Sequence, residues 1–209
     1  MKKFLLLAFS LFLVTFSGCG DDDPEDSYSI YISGVQGDSY SDVTEIRAKT
    51  TTLGDVIAKT NRKGSSTTIE LPEKVSSRYL VNIGDTFESE YFEVSDQSVQ
   101  WTELIQFVGY DSGGDEVGVF FQINSPGANV IQYVLYAYSA TEVTVKGDNV
   151  VTVEGAEISM EVNFTLKKGW NRYSQKQYYD KAITEDDLQL KRITITNTVS
   201  GSVIWGFNR

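Results

Sequence analysis

The residues of this sequence best suited to hold a ligand lie in Trp170-Asn171-Arg172-Tyr173 and, a few positions on, in Tyr178-Tyr179-Asp180. Exposed aromatic rings stack on the apolar faces of sugar rings, and nearby amide, guanidinium and carboxylate groups orient hydroxyls. The same residues have a structural use. Trp170 can close one end of a β-sandwich while the tyrosines cap its edge, because aromatic side chains bury large areas. The sequence leaves both uses open.

Catalytic chemistry finds less to work with. The 209 residues include no histidine and one cysteine, which excludes a His-based triad, a His-ligated metal and a Cys-rich zinc site. No phosphate loop or dinucleotide fingerprint is present. Ser174 and Lys176 are close in sequence, but at a spacing that matches no nucleophile-and-base motif. With 29 acidic residues a glycosidase-like carboxylate pair can be drawn almost anywhere, and nothing selects one. The loop Asp111-Ser112-Gly113-Gly114-Asp115-Glu116 offers oxygen ligands without the alternation of a calcium loop, so it reads as a hairpin turn. No catalytic residue, metal or cofactor is assigned, and the chain reads as a non-enzyme. A net charge of −11 excludes binding to a phosphate backbone, which needs a basic stripe, so nucleic acid is not an expected partner.

The single cysteine, Cys19, has a different chemistry. Lys2 and Lys3 precede an apolar stretch, Phe4 to Phe16, broken only by Ser10 and Thr15. That stretch is shorter than the roughly 20 residues of a membrane span and fits the hydrophobic region of an export signal. It ends in Phe16-Ser17-Gly18-Cys19. An ordinary signal peptide cut nearby would leave an unpaired thiol in an oxidising compartment, which is disfavoured. After Cys19 comes Gly20-Asp21-Asp22-Asp23-Pro24-Glu25-Asp26, in which like charges and a proline keep the chain extended over roughly 25 Å at about 3.3 Å per residue.

Phe16-Ser17-Gly18-Cys19 resembles the lipobox of bacterial lipoproteins, although that motif prefers Leu where Phe16 stands. The resemblance implies cleavage before Cys19 and lipidation of that residue. The acidic run Asp21, Asp22, Asp23, Glu25 and Asp26 resembles the surface-export signal of Bacteroidota-type lipoproteins. It implies an outer-membrane protein carried to the cell surface, with the periplasmic face as the alternative. Several acyl chains hold a protein nearly irreversibly, at about 0.8 kcal/mol per buried methylene.

Beyond the tether, apolar and polar residues alternate in short runs between Gly, Asn, Asp and Ser clusters, which predicts an all-β protein. The clearest run is Ile158, Met160, Val162, Phe164 and Leu166 against Glu157, Ser159, Glu161, Asn163 and Thr165. Val117, Val119, Phe121 and Ile123 repeat it, as do Ile193 and Ile195, and Val203, Trp205 and Phe207. Tyr133 to Tyr138 is apolar or aromatic on both faces and predicts a central strand, or one whose tyrosines reach the surface. Turns are expected at Asp111–Asp115, Ser125-Pro126-Gly127 and Gly147-Asp148-Asn149, and at Ser200-Gly201 closing a last hairpin. A short helix is expected at Thr184–Leu188.

These elements predict two antiparallel β-sandwich domains in tandem after a signal peptide (1–18) and a lipidated tether (19–26). One sandwich would span 27–94 and the other 97–209; one larger sandwich or barrel is the alternative. Within 27–94, Glu45 to Ala48, Val56 to Thr60, a turn at Asn61–Gly64, and Thr68 to Pro72 resemble the small transthyretin-like or carboxypeptidase-regulatory-like module. Such modules are spacers or recognition domains. Residues 158–171 resemble a pattern in uncharacterised Bacteroidota lipoproteins. The expected protein is a lipid-anchored binding or adhesion module with a polysaccharide ligand. A structural component of a surface complex or fimbria-like structure, with other envelope proteins as partners, is the rival, and a carboxylate-dependent hydrolase comes third.

Overall fold

The computed structural model describes residues 28–208, apart from residues 38, 39, 52, 89, 154 and 186. Cys19, Asp21, Asp22, Asp23, Glu25 and Asp26 lie outside the described residues, with the segment before them. The chain begins with strands β1 (Tyr28–Ser33), β2 (Glu45–Thr50), β3 (Val56–Asn61) and β4 (Ser66–Leu71). β5 (Val81–Asn82), a single helical turn α1 (Ile83–Thr86), β6 (Phe92–Val94) and β7 (Gln100–Trp101) follow. Longer strands make up the rest: β8 (Ile105–Tyr110), β9 (Glu116–Gly127), β10 (Val130–Ser139), β11 (Val143–Val153), β12 (Ala156–Leu166), β13 (Gly169–Tyr179), β14 (Leu190–Thr196) and β15 (Ile204–Asn208).

The protein is all-β, as the alternation predicts, but the predicted architecture is overturned. The described strands form one open thirteen-stranded sheet and a separate two-stranded sheet, β1–β4. The large sheet runs β3-β2-β8-β9-β10-β13-β14-β12-β11-β6, with β15 on β9 and β7 joining β10 to β5. It closes into neither a sandwich nor a barrel. It is also mixed: β12 and β14 pair in parallel, so the expectation of purely antiparallel strands fails with it. The sheet passes straight across the boundary drawn near residue 95, because β2 pairs β8 from Glu45↔Tyr110 to Thr50↔Ile105. The reason is general. Period-two patterning fixes which face of a strand is apolar but not which strand lies beside it. β12 and β13 are joined by two residues and look like a hairpin, yet β14 is inserted between them.

Two cores form on opposite faces of the large sheet. On one, Ile30, Ile32, Ile69 and Leu71 of the β1–β4 sheet pack against Ile46, Phe107, Phe120, Val134, Tyr136 and Trp205. On the other, the segment 81–101 covers Ala137, Val145, Phe164, Leu166 and Tyr173 with Ile83, Phe87, Phe92 and Trp101. β10 therefore puts Val134 and Tyr136 into the first core and Leu135 and Ala137 towards the second, which is why its sequence is apolar on both faces. In β12, Ile158, Val162, Phe164 and Leu166 are buried and Met160 half-buried, while Glu157, Ser159, Glu161 and Asn163 stay exposed. Each such fully buried side chain contributes about 1.5–3 kcal/mol.

Several turns fall elsewhere than expected. Gly147-Asp148-Asn149 lies within β11, paired to Val162, Glu161 and Met160. Glycine is needed there for close approach: a Cβ on Gly147 would stand 2.3 Å from the Tyr91 carbonyl oxygen. Ser125-Pro126-Gly127 is the end of β9. Ser200-Gly201 does not close a hairpin, since β14 pairs β12 and β13 while β15 pairs β9. The chain from 197 to 203 instead crosses over β13 and β10. It is held there by Ser174, whose hydroxyl donates to the Thr198 carbonyl at 2.7 Å, and by Gln132 and Asn124, which bond Ser200. The described residues of Thr184–Leu188 form a turn and bends rather than a helix, and the α-helical turn lies at Ile83–Thr86.

Candidate functional site

Strand alternation divides the cluster from 170 to 179 between the two faces of β13. Trp170, Arg172 and Tyr178 share one face; Asn171, Tyr173 and Tyr179 share the other. Trp170 and Tyr178 are eight residues apart, about 27 Å at about 3.4 Å per residue. Trp170 is half-buried, donates its indole N–H to the Pro72 carbonyl at 2.8 Å and meets Tyr138 edge-on at 5.5 Å. Tyr173 is buried in the second core, stacked on Phe164 at 5.6 Å, and burial pushes its phenol well above the usual tyrosine range. Asn171 folds its amide back onto the turn before β13, accepting from the Lys167 N–H at 2.8 Å and donating to the Lys167 and Gly169 carbonyls. Arg172 is exposed and lies opposite Tyr136 in the ladder. Tyr178 carries the Arg192 guanidinium over its ring at 4.7 Å. The structure thus ties Trp170, Asn171, Tyr173 and Tyr178 into packing and turns.

Tyr179 belongs to a different grouping. Its face of β13 also presents Gln175 and Gln177, and across the ladder from Gln175 stands Tyr133 of β10. These four side chains are half-exposed, and the Tyr179 hydroxyl donates to Gln177 Oε1 at 2.8 Å. Burial raises the Tyr133 phenol, and the nearby Tyr179 raises it further. Tyr133 therefore stays a neutral donor at physiological pH.

Beside Tyr133 the surface drops into an open groove of about 580 Å³, lined by Phe121 and Tyr133 together with Glu116, Val117, Val119 and Asn208. The groove owes its shape to a bulge. The β8–β9 ladder pairs Gly109 with Gly118 and then Tyr110 with Glu116, so Val117 is an extra residue. Gly118 is required beside it, because a Cβ there would stand 2.4 Å from the Asn208 carbonyl oxygen. The extra residue shifts the alternation predicted for Val117, Val119, Phe121 and Ile123. Val117 and Phe120 are buried, and Phe121 turns outward over Gly206.

Charge is concentrated at the Glu116 end. Lys49 lies 3.6 Å from Glu116 and donates to the Tyr110 hydroxyl at 3.1 Å, the contact that chiefly raises the lysine's pKa. The Arg47 guanidinium covers the Tyr110 ring at 3.7 Å. Its hydrogen bond to Glu45 is the main reason that carboxyl titrates below the usual range, and Lys59 adds to the effect from 3.5 Å.

The groove combines two aromatic rings with a carboxylate, a phenol and an amide, and its volume falls in the range of small-molecule sites, about 300–1,000 Å³. Aromatic rings can stack on C–H faces, and Glu116, Tyr133 and Asn208 offer groups able to hydrogen-bond. The groove's residues come from the first half of β9, from β10 and from β15, so no local motif marks it. The signal available in sequence is the pair Gly109 and Gly118 inside strand patterns, a mark of bulges and close backbone approach. The loop Asp111–Asp115 is a tight turn in which Asp111 Oδ1 accepts from the N–H groups of Gly113 and Asp115. Among the described residues no three carboxylates gather as a metal site.

No family model matches the chain, and neither a curated protein nor a solved structure is significantly similar to it.

Proposed function

We propose that the chain is a lipid-anchored, non-catalytic binding protein of the bacterial outer membrane, exposed at the cell surface, and that it takes a glycan in the groove over Phe121 and Tyr133. The observation that carries the ligand reading is that groove: two half-exposed aromatics beside Glu116 and Asn208, on a part of the second core's sheet face left open beside the region that 81–101 covers. The anchor and the address rest on Phe16-Ser17-Gly18-Cys19 and on the acidic run behind it. Trp170 and Tyr173 lie outside this groove, with their rings engaged in packing.

The test is a binding screen of the purified full-length lipidated protein, in detergent, against a panel of envelope and dietary oligosaccharides. Binding by the parent and a loss of tenfold or more with Tyr133→Ala are expected, while Arg172→Ala on the opposite face keeps affinity. No oligosaccharide bound, or equal binding by Tyr133→Ala, overturns the glycan reading. The anchor is tested apart from it. Cells grown with an alkyne fatty acid label the parent and not a Cys19→Ser variant, and protease added to intact cells removes the protein. Label retained by Cys19→Ser, or full protection from protease, sinks the anchor or the surface address respectively.

A further inference from the structure

β9 carries two strands in succession on one of its edges. Val119 and Phe120 pair with Asn208 and Phe207 of β15 and also with Val108 and Phe107 of β8. Gln122 and Ile123 pair with Trp205 and Ile204 of β15 and also with Val134 and Tyr133 of β10. A strand has two edges, so β8 and β10 both lie opposite β15 and follow one another along the same edge. Phe121 stands where they part. It is matched to Gly206 of β15 and, among the described residues, to none on the other edge.

The fork leaves a recess of about 150 Å³, lined among others by Leu104, Phe107, Phe120, Val134, Tyr136 and Trp205. Val119, Phe121 and Tyr133 line both this recess and the larger groove, so the two lie side by side. Water is poorly served there, because it needs about two to four polar partners. The Trp205 indole N–H is engaged with the Tyr31 carbonyl at 3.0 Å, and the Tyr136 hydroxyl donates to Gln122 Oε1 at 2.8 Å. Gln122 also lines the recess; with Tyr136 on its amide oxygen, its amide nitrogen is the end that can donate.

We propose that this recess is a specificity subsite of the groove and takes the acetamido group of an N-acetylated sugar. The inference rests on the glycan reading of the groove and narrows it to a class. Size and chemistry both select that group. A cavity of about 150 Å³ lined by hydrocarbon admits groups as large as benzene, so an acetyl group enters. The lone methyl of a 6-deoxy sugar would leave most of the space empty and its lining without contacts. The acetyl methyl meets the apolar side chains, and its carbonyl oxygen meets the Gln122 amide N–H. A hydroxyl at the same position of the sugar fills none of the recess, and a free amine would carry a charge to the edge of an apolar space at a desolvation cost.

The experiment compares two neutral probes, cellotetraose and chitotetraose, which differ only in the 2-hydroxyl and 2-acetamido groups. Each is titrated by calorimetry into the full chain held in lipid nanodiscs. Chitotetraose is expected to bind about tenfold more tightly, the order that one buried methyl and one hydrogen bond give together. Leu104→Phe puts a larger side chain on the wall of the recess and brings chitotetraose down to the affinity of cellotetraose. A second measurement needs no variant. With methyl-labelled parent protein, chitotetraose shifts the NMR signals of Leu104 and Val134, and cellotetraose leaves them in place. Equal affinity for the two probes, a preference that survives Leu104→Phe, or unshifted Leu104 and Val134 methyls overturns the subsite and leaves the groove reading standing. Binding of neither probe overturns the subsite together with the glycan reading.

Discussion

Gln132, wholly buried near the start of β10, holds Ser200 from both ends of its amide. Its Nε2 donates to the Ser200 carbonyl at 3.1 Å, and its Oε1 accepts from the Ser200 N–H at 3.1 Å and from the hydroxyl at 2.9 Å. The amide thereby copies a backbone peptide and gives the crossing chain between β14 and β15 a partner on the sheet. Asn124 of β9 and Ser174 of β13 bond the same crossover from either side.

Gln132→Leu therefore removes the partner of the half-buried Ser200 N–H and of its hydroxyl. A net hydrogen bond is worth about 0.5–1.5 kcal/mol, and a loss of about 1–2 kcal/mol is expected in urea unfolding of the purified protein. An unchanged midpoint would mean that the crossover finds its hydrogen bonds elsewhere.

Two indoles clamp the two-stranded sheet to the large one. Trp205 donates to the Tyr31 carbonyl at 3.0 Å, within β1, and Trp170 to the Pro72 carbonyl at 2.8 Å, just past the end of β4. Trp170→Phe keeps an aromatic ring and removes one hydrogen bond, so a cost of about 1 kcal/mol is expected. Trp205→Phe also opens space in the first core, and its cost rises to about 2–3 kcal/mol. Hydrogen exchange should quicken first at the amides of β1 and β4. Uniform exchange across the whole protein in both variants would show that the clamps are not local.

What the sequence made legible was decided by how local the signal is. The Ile158–Leu166 alternation predicts β12 because one strand has one wet face. Tyr133–Tyr138 predicts a central strand because Val134 and Leu135 enter opposite cores. Partner choice is not local, so the β2–β8 pairing and the insertion of β14 between β12 and β13 left no trace in the pattern. The cluster Trp170–Tyr179 looks continuous in sequence, but alternation sends its members to two faces. Phe121 and Tyr133 line a groove beside a bulge whose extra residue, Val117, looks like any other strand valine. Gly147 predicts a turn by composition. It is a strand residue because another backbone passes over it.

The buried phenols give the protein an alkaline limit. Burial, opposed by Arg172 and assisted by Tyr28, pushes Tyr136 up to about 12. A group with a raised folded-state pKa contributes its full stability below the unfolded value, near 10. That contribution is lost as the pH rises towards the folded value, because the unfolded chain releases the proton first. Stability should fall between about pH 10 and pH 12, by on the order of 2 kcal/mol from this group. Tyr173, raised further by burial, adds to the slope in the same direction. Denaturant midpoints measured across this range should flatten in Tyr136→Phe. That variant also gives up the hydroxyl's bond to Gln122 at 2.8 Å, so it starts from a lower midpoint. An equally steep decline in Tyr136→Phe would assign the alkaline limb to other groups.

Gly147→Ala separates the role of β6 from that of the rest of the sheet. The added Cβ would stand 2.3 Å from the Tyr91 carbonyl oxygen and 3.0 Å from Phe92 Cα, and backbone cannot swing aside as a side chain can. Either β6 lifts away from β11 or the ladder with β12 bends at Val162, which opposes Gly147. β6 holds three residues of pairing, whereas β12 pairs along the whole of β11, so β6 yields. Phe92 then leaves its edge-on contact with Phe87 at 5.5 Å, and the second core loses part of its cover. A global cost of about 1–3 kcal/mol is expected, as for other overpacked sites. Hydrogen exchange by mass spectrometry should show the amides of 92–95 losing protection while those of 158–166 keep theirs. Protection retained over 92–95 at wild-type stability would show that β6 tolerates the methyl and that glycine at this position has another cause.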